Sequence, residues 1–152
     1  YKNASPRHRG VIARPNPFGR IGSTIEDMID VGPELVPSLK DEVGDALRSV
    51  AVYDEGGYEF EYLRDDVGTT YTDEEIDAVY DDLVIQGLSR EFLEQLFHAG
   101  DLQCSMYGFE EATMFHFTGG EYSGLFVSID RIRGMDLDAI ISTCKGAIEA
   151  PA

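Results

Sequence analysis

The chain has 152 residues, 43% of them hydrophobic, and sets 29 Asp and Glu against 12 Lys and Arg for a net charge of -17. That length fits one domain that can bury a core without disulfide or metal staples, and the ordinary apolar fraction excludes a disordered chain. So acidic a surface repels phosphate backbones, which excludes nucleic-acid binding through the folded part.

The first element is an arm. Residues 1–24 hold three prolines, three glycines and no hydrophobic period, and residues 1–22 carry Lys2, Arg7, Arg9, Arg14 and Arg20 without a single acid. The rest of the chain therefore concentrates all 29 acids against only 7 bases. Self-repulsion of that size is screened only where the Debye length has shrunk to about 3 Å, near 1 M salt, so the composition suits a salt-rich cytoplasm. With only three lysines, Lys2, Lys40 and Lys145, the surface is carboxylate in place of ammonium. The expected organisation is a basic arm over 1–24 and a single acidic α+β domain over 25–152. The arm is either an extension ahead of a natural start at Met28 or a tether whose Arg7, Arg9, Arg14 and Arg20 contact RNA or DNA phosphates.

From Gly32 the spacing predicts a helix: Pro33 suits the first turn, Pro37 is tolerated only there, and Leu35, Leu39, Val43 and Leu47 recur every four residues. Ser49–Tyr53 and Tyr58–Leu63 then form a hairpin around Asp54-Glu-Gly-Gly57. Tyr58, Phe60 and Tyr62 alternate with Glu59 and Glu61, which places aromatics on one face and acids on the other. Thr72 and Glu75 make the T-x-x-E pattern of a capping box, opening a helix with Ile76, Val79, Tyr80 and Leu83 on one stripe. Gly87 and Ser89 predict a kink or a break, with Ser89 capping a second piece that bears Phe92, Leu93, Leu96 and Phe97 and ends at Gly100. Three strands follow, 102–107, 112–118 and 122–129, as an antiparallel meander, and Asp136 caps a last helix with Leu137, Ile140, Ile141 and Cys144 inward.

The stretch 33–145, with Gly44-Asp-Ala-Leu-Arg-Ser-Val50, Glu61-Tyr-Leu-Arg-Asp-Asp-Val67, Ala99-Gly-Asp-Leu-Gln-Cys104 and Gly124-Leu-Phe-Val-Ser-Ile-Asp130, resembles a family of small acidic haloarchaeal proteins without an assigned activity. The basic arm departs from that pattern. The element order α-ββ-α-βββ-α resembles roadblock/LC7 and other profilin-like domains, which implies a five-stranded antiparallel sheet flanked by helices and a dimeric platform for a protein partner.

Chemistry is sparse. Asp65-Asp66, Asp73-Glu74-Glu75 and Asp81-Asp82 are solvated charge, and no calcium loop, G-x-S-x-G or phosphate-binding glycine loop occurs. A Cys2His2 cluster from His98, Cys104, His116 and Cys144 would need four separate elements to converge, so the cysteines are expected as free buried thiols. No catalytic residue, metal or cofactor is expected. No apolar run of membrane-spanning length and no signal-peptide core occurs, so the expected location is cytoplasmic. Tyr58, Phe60, Tyr62, Phe92 and Phe97 are the candidate contacts for a homodimer or a protein partner. The alternatives are the nucleic-acid-tethered factor and a small-molecule sensor with a pocket on the sheet.

Overall fold

The computed structural model describes residues 29–119 and 122–149, so the arm with Arg7, Arg9, Arg14 and Arg20 lies outside the described residues. The elements run α1 (Leu35–Val43), a 3-10 turn (Gly44–Ala46), β1 (Leu47–Asp54), β2 (Gly57–Leu63), α2 (Asp65–Thr70), α3 (Asp73–Leu88), α4 (Arg90–Phe97), β3 (Ser105–Gly108), β4 (Ala112–Thr118), β5 (Gly124–Asp130) and α5 (Leu137–Glu149). The sheet order is β2-β1-β5-β4-β3, every pair antiparallel. The expected five-stranded α+β architecture is therefore present.

Both sheet faces are covered, by different helices. Val50 and Val52 of β1, Phe115 and Phe117 of β4, and Leu125, Val127 and Ile129 of β5 point to one side, where Leu35 and Leu39 of α1 and Ile140 and Cys144 of α5 seal them. The alternate residues Ala51 and Tyr53, with Tyr58 and Phe60 of β2, point to the other side and meet Tyr80, Leu83 and Val84 of α3. The period of two along each strand is what divides one chain into two apolar layers.

Four local expectations are corrected. Leu47 is not the last helical leucine: Gly44, at φ 60°, ends α1, and Leu47 opens β1 fully buried. Tyr62 does not share a face with Tyr58 and Phe60. Val50 pairs with Tyr62 but Ala51 pairs with Phe60, so a bulge at Glu61 shifts the pleat and Tyr62 packs on the α1 side beneath the Lys40 ammonium, 4.4 Å from its ring centre. Glu59 is buried and not on a solvated acidic face. Ser89 joins two separate helices but caps neither with its side chain. Gly87 is helical, and its missing side chain lets α3 approach Thr118, whose methyl a Cβ would meet at 3.3 Å. The short helix α2, opened by Asp65 and Asp66, was not expected. Among the described residues no helix is long and apolar enough to cross a membrane.

Candidate functional site

α3 covers the β1–β2 side of its sheet face and leaves a cleft of about 370 Å³ beside it. Ser49 and Ala51 of β1, Met114 of β4, and Phe126 and Ser128 of β5 form the floor; Ile76, Val79 and Leu83 of α3 form one wall; Tyr107 and Phe109 stand at the β3 lip. The walls are almost wholly apolar, and polar groups gather at the two ends.

At one end a buried chain of hydrogen bonds runs from sheet to helix. The Tyr53 hydroxyl donates to Nε2 of His116 over 2.6 Å, His116 Nδ1 donates to Gln86 Oε1 over 3.1 Å, and Gln86 Nε2 donates to the Asp82 carboxylate. The acceptor at Gln86 places the imidazole proton on Nδ1 and frees Nε2 to accept. Burial pushes His116 down to about 4 against a partial pull upward from Asp82, and pushes the Tyr53 phenol up with help from Tyr80. Both groups are neutral at neutral pH and each is engaged by the other, so the chain braces α3 against the sheet.

At the other end the hydroxyls of Ser49 and Ser128 meet at 2.6 Å across the β1–β5 pair. Beside them Arg64 holds Asp66 through Nε (2.6 Å) and Nη2 (3.0 Å) and Asp130 through Nη1 (2.8 Å) and Nη2 (3.1 Å), and donates to the Asp45 carbonyl. The guanidinium holds both carboxyls below the usual carboxylate range. Among the described residues the Arg48 guanidinium makes one hydrogen bond, the ion-paired contact of Nη1 with Asp130 at 3.4 Å, and its Nε is buried without a partner.

The residues expected from sequence divide accordingly. Tyr58 and Phe60 are buried walls of the cleft, Tyr62 is on the opposite face, and Phe92 and Phe97 of α4 are exposed at 64% and 68%. His98 is exposed in left-handed backbone (φ 52°) at the end of α4. Cys104 and Cys144 are free thiols packed on the α1–α5 side, where burial pushes Cys144 up to about 12, while His116 is on the α3 side. The sheet separates His116 from the two cysteines, and among the described residues no group of three or more potential ligands could hold a metal. Arg48, Ser49, Gln86 and Ser128 were not anticipated; their signal is a lone polar residue at inward positions of otherwise apolar strands and of the α3 stripe.

The sequence profile of the family described as Domain of unknown function (DUF7522) matches residues 33–149. The chain belongs to that family. Comparison with curated proteins gives no match. Among solved structures the DUF7522 fold is similar to "MglB with tetrameric arrangement" at 18% identity and a TM-score of 0.53, over 77% of this chain and 82% of that one. It is similar to the roadblock/LC7 domain from Streptomyces avermitilis at 17% and 0.51, over 76% and 90%. The gliding protein MglB from Thermus thermophilus follows at 15% and 0.53, over 80% and 86%. These likenesses show a roadblock/LC7-type fold for this chain, as the element order implied, and the region matched by the family begins beyond the basic arm.

Proposed function

We propose that this DUF7522 chain is a non-catalytic interaction module that pairs with a second copy through β3 and offers α4 to a protein partner. The observation that carries the reading is the β3 edge. Among the described residues β3 pairs only with β4, and it exposes Met106 and Tyr107 at 44% and 41%, with Phe109 beside it at 55%. An edge strand with open backbone donors and acceptors and an apolar surface is a template for strand addition. A likeness in fold to a protein whose structure is a tetrameric arrangement supports assembly as the use of this surface. On α4, Phe92, Leu96 and Phe97 form a second apolar face, which is where a different protein docks.

Size-exclusion chromatography with light scattering in about 1 M salt tests the pairing. The wild type is expected at twice its 16.8 kDa, and Met106→Glu at 16.8 kDa with an unchanged circular dichroism spectrum. A wild type that stays at the single mass at every concentration overturns it. Phe92→Glu/Phe97→Glu should keep the double mass and lose cross-linked partners that Met106→Ala retains.

A further inference from the structure

We propose that the cleft under α3 binds an amphipathic monocarboxylic acid, with its carboxylate on the Arg48 guanidinium and its hydrocarbon or aryl body along the apolar floor. The inference rests on the cleft and not on the pairing of two copies. At about 370 Å³ the space lies in the range of small-molecule sites, and its apolar walls with polar groups at the ends match their usual design.

The two ends differ in what they have left to offer. At the Tyr53 end every polar group is already engaged: Tyr53 with His116, His116 with Gln86, Gln86 with Asp82. At the Arg48 end a guanidinium with five donors makes one long hydrogen bond. Asp130 is shared: Arg64 holds both its oxygens at 2.8 and 3.1 Å, and its ion pair with Arg48 is the longer contact at 3.4 Å. Arg48 Nε is buried with nothing to receive its proton. A charged donor in an apolar cleft selects an anionic acceptor, and a planar fork suits a carboxylate.

Charge and length narrow the class. Asp82 at the far end opposes a second negative group, and His116 there is neutral, so diacids are disfavoured. From Ser49 to Tyr53 the floor runs four residues, about 13 Å at ~3.3 Å each, the reach of a medium-chain acid.

The test uses the full chain, labelled with 13C at its methionine methyls, titrated in molar salt with decanoate and with decanol. Met114 is on the cleft floor and Met135 packs in the opposite core, so one resonance should move and the other stay. Decanoate should bind about tenfold more tightly than decanol, and Arg48→Gln should erase that difference while decanol binding persists. The proposal is overturned by a Met114 methyl that neither ligand moves, by equal affinity for acid and alcohol, or by an acid preference that survives Arg48→Gln. The acid-to-alcohol ratio in the wild type decides the matter even where Arg48→Gln folds poorly.

Discussion

His116 is held as a neutral imidazole by burial between Tyr53 and Gln86, and that has a pH signature. Below its ordinary value of 6.5 the unfolded chain takes up a proton that the folded chain resists until about 4. The unfolded state then binds more protons, so stability falls as pH drops through this window, by about 3 kcal/mol at about 1.4 kcal/mol per pKa unit. Asp66 and Asp130, depressed by Arg64, act lower: their contribution is complete above the ordinary carboxylate value of 3.8 and is lost as pH falls below it. Denaturant unfolding of the wild type should therefore weaken from pH 6.5 to 4, and His116→Gln, which keeps an acceptor for Tyr53, should flatten that slope; an unchanged slope refutes the assignment. Gly124 carries a steric prediction. A Cβ there would stand 2.5 Å from the Tyr53 hydroxyl and 2.7 Å from the Phe117 carbonyl oxygen, so Gly124→Ala should cost roughly 3 kcal/mol in chemical denaturation. Neither partnership was legible in sequence. His116 was visible as a mid-strand histidine, but its partners are 63 and 30 residues away, and no local pattern encodes such a meeting.

At the scale of elements, the signals that could be read were those carried by backbone chemistry close in sequence. Thr72 accepts from the Glu75 amide at 3.1 Å and Glu75 accepts from the Thr72 amide at 2.9 Å, the reciprocal pair expected from T-x-x-E. Thr72→Ala should lower stability by about 1 kcal/mol, seen as a reduced denaturation midpoint with an unchanged slope. Asp136 likewise accepts from the Ala139 amide, and the turn of the first hairpin falls within Asp54–Gly57 as expected. What misled was pattern without context. Alternation over Tyr58, Phe60 and Tyr62 has a period of two in sequence, but one extra residue in the pairing with β1 sends Tyr62 to the other face. A spacing of four carried Leu47 into the helix because periodicity is blind to the left-handed Gly44 that stops it. α2 was missed because six residues containing Gly68, Thr69 and Thr70 have weak helical preference; packing of Val67 holds it.

For the whole molecule, the split charge and the antiparallel order were legible, the first from composition and the second from turn lengths and the likeness to roadblock domains. The central β1–β5 pairing, with Val50 opposite Val127, joins strands from opposite ends of the domain and left no trace in the sequence. A net charge of -17 predicts that the thermal midpoint rises as salt goes from about 0.1 to 1 M, with the steepest gain where the Debye length falls from about 10 to 3 Å. A midpoint independent of salt over that range would show that the carboxylates are compensated within the fold. The sheet's two edges differ in kind. β2 is bulged at Glu61, whereas β3 is short, flat in its register and exposes Met106 and Tyr107. A ribbon that can be extended from both sides grows into a filament, but one that can be extended from a single side meets its symmetry-related partner and has no free end left. For the proposed pairing through β3, the Glu61 bulge acts as a chain terminator that limits assembly to a finite stoichiometry.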